Sequence, residues 1–153
     1  MKTYAEVVNT FATASNAHLS INTFYEGDLD QLDSTSQNVV YPYIFLRSIT
    51  SPGMNTNAIG QSGTRSLTFE MYSLDVPPLD DSNVLSISSN TEQYIYDILG
   101  YVNLGLDQQT EFVTLQSITP VSEAFNDRVY GWVATLTYTD IGTFNKCAFP
   151  SLP

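Results

Sequence analysis

Basic residues are almost missing from this chain of 153 residues: Lys2, Arg47, Arg65, Arg128 and Lys146 stand against 16 acids and leave a formal charge of −11. Proteins that grip nucleic acid do so with clustered Lys and Arg that release counterions, so five scattered cations exclude a phosphate-neutralising track. Cysteine is nearly absent too: Cys147 stands alone, and no intrachain disulfide can form. One histidine, His18, beside one cysteine gives no zinc set. No apolar run nears the roughly 18 residues that cross a bilayer. Met1–Glu6 has neither the basic region nor the apolar stretch of a secretion signal, and the expectation is a chain made and first folded in the cytosol, with no membrane contact.

Catalytic patterns are equally scarce. There is no G-x-S-x-G around a serine, and Gly60–Gly63 lacks the lysine and the strand-to-helix setting of a phosphate loop. The acidic stretch Glu26–Asp33 offers Asp28, Asp30 and Asp33, yet the sixth and twelfth positions counted from Asp28 are Asp33 and Val39, not the Gly and Glu of a calcium loop. It is expected to be a short helical turn with Leu29 and Leu32 tucked inward. Asp80–Asp81 is the other dense acidic pair, in a turn after Pro77–Pro78, where acids serve capping and solvation. No catalytic residue, cofactor site or metal site is assigned.

Charged residues make up only 14% of the chain, against about a quarter in typical domains. The surface must therefore be rich in Ser, Thr, Asn and Gln. The aromatic content is concentrated in ten Tyr and eight Phe, expected in core and interfaces.

The periodicities outline one α+β domain over residues 1–153. Thr3 and Glu6 have capping-box spacing, and Tyr4, Val7, Val8, Phe11 and Ala14 share a helical face, predicting a helix over 3–17. A strand is expected within Leu19–Tyr25 and another over Val39–Leu46, with Pro42 near a strand end, at a bulge or on an edge. Thr50–Gly63, uncharged and rich in Gly and Asn, is expected to be a long flexible loop. A strand follows over Arg65–Val76, then a helix capped by Ser89 with Glu92, carrying Ile95, Ile98, Leu99 and Val102 inward. Strands over Phe112–Val121 and Arg128–Asp140 precede an extended C-terminal segment, 141–153. Both faces of Arg128–Asp140 are substantially apolar or β-branched, with Tyr130, Trp132, Ala134, Leu136 and Tyr138 on one and Val129, Gly131, Val133, Thr135 and Thr137 on the other. The resulting architecture is α+β: a mostly antiparallel sheet of four to five strands with two helices packed on one face. Its other face and its edges are where subunits are expected to meet.

An N-terminal amphipathic helix, an acidic turn reading Gly27-Asp28-Leu29, a strand marked Tyr41-Pro42-Tyr43, a hairpin, a capped helix and the final Arg128–Leu136 strand together resemble the tail terminator (tail completion) proteins of tailed bacteriophages. The resemblance covers most of the chain and lies in layout, because that family has no invariant catalytic motif. It implies a structural virion protein that associates with itself in a ring, usually of six, capping the tail tube and joining it to the neck. DNA would pass through the channel without specific binding. It also implies tail tube and neck or connector proteins as partners, and candidate interface residues Tyr41, Tyr43, Asn55, Asn57, Tyr72, Tyr130, Trp132, Tyr138 and Phe149. Within the same class a stopper, connector or tail tube subunit is the alternative. A carbohydrate- or protein-binding adhesion module built on an aromatic sheet face is the alternative of a different class.

Overall fold

Thr3 begins the first helix as its spacing predicts. Its hydroxyl accepts from the Glu6 N–H at 3.3 Å, and the Glu6 carboxylate accepts from the Thr3 N–H at 2.6 Å, so two otherwise orphaned donors are satisfied. In this computed structural model, which describes residues 2–36, 39–48, 53–56, 62–77, 82–124 and 128–143, the elements run α1 (Tyr4–Ala17), β1 (Thr23–Glu26), α2 (Leu29–Ser36), β2 (Tyr43–Ser48), β3 (Gly53–Thr56), β4 (Ser62–Asp75), α3 (Val84–Gly105), β5 (Glu111–Ala124) and β6 (Val129–Thr143). The sheet order is β1-β2-β4-β6-β5, with β3 pairing the start of β4 beyond the end of β2. Every pair is antiparallel except β1 with β2, so the α+β class holds and the sheet is mixed at one edge.

Alternation divides the strands between two cores. Ile44 and Leu46 of β2, Leu67, Phe69 and Met71 of β4, and Ala134, Leu136 and Tyr138 of β6 face α1 and α3, which contribute Val7, Phe11, Ile95, Ile98 and Val102. Tyr43 and Phe45 of β2 point the other way, into a smaller cluster with Leu74, Val129 and Leu32. Leu32 belongs to α2, so the helix content exceeds the expectation: two helices on one face, as predicted, and a third, short one over a corner of the opposite face. Within it Leu32 is fully buried but Leu29 is exposed, against the expectation that both tuck inward. Leu29 is the first residue of α2, and Leu32, almost a turn further on, is the one that reaches the cluster of Tyr43, Phe45, Leu74 and Val129.

Several boundaries differ from the periodicity reading. Gly53–Thr56 form a strand paired with Gly63–Ser66, and β4 starts at Ser62, so part of the expected loop is paired strand; residues 50–52 and 57–61 lie outside the described residues. β6 runs on to Thr143, taking the first residues of the expected C-terminal segment into the sheet, and residues 144–153 lie outside the described residues. Pro42 sits just before β2 after a cis Tyr41–Pro42 bond, consistent with a strand end. Ser89 and Glu92 are interior to α3, which begins a turn and a half earlier, after Asn83 in the left-handed region at φ 70°, a conformation Asn tolerates. Gly131 is dictated by close strand approach: a Cβ there would lie 1.9 Å from the Ser73 carbonyl oxygen.

Candidate assembly surfaces

The nine residues expected at interfaces do not form one surface. Tyr43 is fully buried in the smaller core and Tyr138 is buried beneath the helices, so neither ring presents an interface. Trp132 is half-buried on the helix face, its indole N–H donating to the Ser88 carbonyl of α3 at 2.8 Å. These three are corrected to core residues: Tyr138 and Trp132 lie on the face that α1 and α3 cover, and Tyr43 fills the smaller core on the opposite face. Tyr41 and Tyr72 are partly buried around the smaller core, Tyr41 edge-on to Tyr43 and Tyr72 edge-on to Phe45. Tyr130 is partly buried on β6. Asn55 lies in β3 opposite Thr64, and Asn57 and Phe149 lie outside the described residues.

The face away from α1 and α3 is built from other residues. Register places Ser66, Thr139 and Phe112 in one row across β4, β6 and β5, then Thr68, Thr137 and Thr114, then Glu70, Thr135 and Ser117, then Tyr72, Val133 and Thr119. Adjacent strands lie about 4.8 Å apart, so the hydroxyls and methyls form a closely spaced array. Among the described residues of these rows the one charge is Glu70, and Arg47 of β2 neutralises it at 3.0 Å while the Tyr72 hydroxyl donates to it at 3.1 Å. Burial, and then the Glu70 charge, push the Tyr72 pKa up.

The long outer strand β5 is guarded. Val113 directs both its N–H and its C=O at the side-chain amide of Asn103, at 2.9 and 3.1 Å, and the Glu111 N–H donates to the Asp107 carbonyl at 2.6 Å. A residue's N–H and C=O share one side of an antiparallel strand, so these are the groups that would otherwise face outward. A bulge between Leu115 and Ser117 shifts the phase, which sends the nitrogen of Pro120 outward, where no donor is offered. Helix amide, bulge and proline together discourage strand addition along this edge. Sequence reasoning missed Asn103, since nothing local announces that its amide reaches a strand ten residues away.

Outside the helical layer, α1 and α3 leave a groove divided by Tyr101 into clefts of about 340 and 440 Å³. The first is lined by Glu6, Thr10, Thr13 and Gly105, the second by Ala17, His18, Leu19 and Asp97. His18, the C-cap residue of α1, approaches Asp97 through Nε2 at 3.2 Å and accepts the Ser20 backbone N–H at Nδ1. With both ring nitrogens engaged, it is held as a strut between α1 and α3. Of the residues lining the groove, Leu19 is wholly exposed and Tyr101 about half exposed. Gly100 lies mid-helix in α3, and a Cβ there would meet nothing within 4 Å. A helix-interior glycine costs about 0.8–1 kcal/mol relative to alanine, and neither the backbone nor the packing of the chain requires one here.

Lys2, Arg47 and Arg65 are each tied to an acid. Lys2 meets Glu111 at 2.6 Å, and Arg65 meets the buried Asp140 at 3.2 Å, with the Lys2 backbone N–H also donating to Asp140 at 2.8 Å. This corner pins the start of the chain across β4, β6 and β5, and it raises the pKa of the buried Tyr138 hydroxyl, by desolvation first and by Asp140 and Glu111 after it. Among the described residues no three His, Cys, Asp or Glu side chains gather as a metal site, and no helix is long and apolar enough to cross a membrane. No protein-family model matches the chain and no curated protein does, so these surfaces are interpreted from their own chemistry.

Proposed function

We propose that the chain is a structural subunit of a tailed-bacteriophage virion: a tail terminator whose copies close into a ring, expected to number six, between the tail tube and the neck. The observation that carries this reading is the one-sided cover of the sheet. Strands of 14 and 15 residues are sealed by α1 and α3 on one face, while most of the other is a neutral Ser/Thr surface in a chain with a net charge of −11. Copies of so acidic a subunit repel one another broadly, and they can approach where charge is absent. The negative balance also suits a bore through which DNA slides without adhering. A connector, stopper or tube subunit is the alternative within this class. The open sheet under two long helices supports a terminator over a tube subunit, whose sheet more often closes into a barrel. A carbohydrate- or protein-binding adhesion module is the alternative of a different class; in it Tyr43 and Phe45, fully buried, would take no part in an aromatic platform.

Light scattering behind size exclusion, with negative-stain microscopy, tests the proposal. Rings of uniform diameter are expected for the native chain. Thr137→Glu, in the centre of the neutral face, is expected to abolish rings while leaving the melting temperature within a few degrees. A chain that stays monomeric at high concentration, with and without tail tubes, overturns the reading.

A further inference from the structure

We propose that copies of this chain join head to tail, with the outward stripe of α3 on one copy seated on the hydroxyl face of β4, β6 and β5 on the next. The inference rests on the ring reading and names the two surfaces that make its contact.

A ring of more than two copies repeats one contact between two different patches, since a patch that pairs with itself closes a dimer and ends assembly. The hydroxyl face supplies one patch, and the other must come from elsewhere on the subunit. Along α3, Leu85, Ser89, Gln93, Tyr96, Gly100 and Leu104 follow one another at spacings of three and four, and all six are exposed. They form one stripe turned away from the sheet. None of them is charged, in a chain of net charge −11. Leu85 and Leu104, each 84% exposed, and Tyr96, 44% exposed, leave apolar surface in water. The nearest acids flank the stripe without interrupting it: Asp97 is held by His18 and by the Gln93 amide at 2.8 Å, and Glu92 is partly buried on the other side.

The two patches match in length, step and chemistry. The 22 residues of α3 span about 33 Å at 1.5 Å per residue, and β4 and β6, with 14 and 15 residues, are longer still. Alternate residues of a strand lie about 6.7 Å apart and residues four apart on a helix about 6 Å, so Tyr96, Gly100 and Leu104 keep step with Thr135, Thr137 and Thr139 of a neighbour's β6. A Cβ at Gly100 would meet nothing inside the subunit, and its absence lets the helix backbone come close to the threonine row. Threonine methyls meet the leucines and the tyrosine ring, and the hydroxyls meet Ser89 and Gln93. Glu70, the one charge among the described residues of the face, is already neutralised by Arg47. The contact therefore buries no unpaired charge on either side.

Mixing two blocked chains tests this pairing. Gly100→Glu puts a charge in the middle of the stripe; it collides with nothing in the subunit and replaces a helix-interior glycine, so the melting temperature is expected to hold or rise. Thr137→Glu blocks the hydroxyl face. Each variant alone is expected to be monomeric by light scattering, and an equimolar mixture is expected to double in mass. In the mixture the intact α3 of the Thr137→Glu chain meets the intact sheet face of the Gly100→Glu chain, and growth stops there. One contact lacks the effective concentration that ring closure adds, so the mixture is measured up to about 1 mM. Tyr96→Glu, on the same stripe, is expected to behave as Gly100→Glu does, while Asn16→Glu, which adds the same charge on the exposed side of α1, is expected to keep rings. Rings formed by Gly100→Glu and Tyr96→Glu overturn the proposal and leave the ring reading standing. Dimers of Gly100→Glu alone overturn it by showing that hydroxyl faces pair with each other, and a mixture that stays monomeric while the native chain forms rings overturns it as well. Loss of rings in Asn16→Glu overturns it, because added charge alone would then suffice. A native chain that is itself monomeric overturns the ring reading and this pairing with it, whereas native filaments beside a dimeric mixture overturn the ring and uphold the pairing.

Discussion

The two faces of this sheet are made by alternate residues of the same strands, yet one is an apolar core and the other, over most of its area, a hydroxyl surface. On β4, Leu67, Phe69 and Met71 are buried under α1 and α3, while Ser66, Thr68 and Glu70 between them stay partly exposed. On β6 the same division separates Ala134, Leu136 and Tyr138 from Thr135, Thr137 and Thr139. The β-branched threonines favour extended backbone as strongly as valine does, so the strands stay long without adding apolar surface that would aggregate. The burial that stabilises the fold is thus concentrated on one face, and most of the other stays partly exposed. Only at the corner of Tyr43, Phe45 and Leu74 does the second face need cover of its own, and there α2 supplies Leu32.

Substituting neighbours on opposite faces is the most direct way to break this contrast. Phe69→Ala removes a fully buried ring that also packs against Phe11 at 5.8 Å and stacks on Tyr4 at 6.1 Å, and it is expected to cost about 3–5 kcal/mol. Thr68→Ala, one residue away, is expected to change stability by no more than about 0.5 kcal/mol. Urea denaturation of both variants measures the difference. Comparable losses would mean that the hydroxyl face is part of the subunit's own core.

Gly131 sharpens the contrast from the other side, since it lies on the hydroxyl face yet is buried against backbone. A methyl group there collides with the Ser73 carbonyl, which cannot move without displacing β4 from β6. Gly131→Ala is therefore expected to cost about 1–3 kcal/mol as an overpacking substitution, with amide exchange accelerated around Ser73. A stable variant with native exchange would show that the two strands part more easily than their long ladder suggests.

How legible this was in the sequence varied with the kind of information involved. The capping box at Thr3, the apolar stripe of α3 and the alternation along β4 and β6 were readable because each is local and repeats. The start of α3 was missed, because the real N-cap, Asn83, acts through a left-handed backbone conformation and makes no side-chain bond, while the more conspicuous Ser89 lies inside the helix. Which face of β6 the helices cover was not readable either. Both faces are apolar or β-branched, so Tyr138 and Trp132 had the same claim to an interface as Thr137 had to the core until the partners of β6 were known. The guarded edge depends on Asn103 meeting Val113, a pairing fixed only by how α3 ends.

That edge supplies a smaller effect. Asn103→Ala leaves the outward N–H and C=O of Val113 to water, at an expected cost of about 1 kcal/mol, the low end for an unsatisfied group because solvent can reach it. The more telling readout is the Val113 amide, whose hydrogen exchange should accelerate while that of Leu136, on the central strand, stays slow. The unguarded strand should also raise the tendency to associate edge to edge. If Val113 remains protected, the edge is shielded by something other than the Asn103 amide.

The smallest effects are electrostatic and have opposite signs in two carboxylates. Burial raises the pKa of Asp75, against a partly offsetting bond from the Val76 N–H. The folded state therefore prefers Asp75 protonated; its contribution is fully present at low pH and is lost as pH rises out of the ordinary carboxylate range through the raised value. Glu6 is the reverse, because the Thr3 backbone N–H, and then the Thr3 hydroxyl, hold its pKa down; its contribution is present at neutral pH and is lost as pH falls through the lowered value. Asp75→Asn should accordingly raise the melting temperature relative to the native chain, by a margin that grows from pH 3 to pH 7. Glu6→Gln should lower it, also by a margin that grows over that range. Melting curves at matched ionic strength check both. Because Glu6 is fully exposed and solvent screens it, its shift should be the one that fades first with added salt, whereas the Asp75 shift, rooted in desolvation, should persist. If salt removes both alike, the Asp75 carboxyl is not desolvated, and that end of β4 is more open to water than its packing indicates.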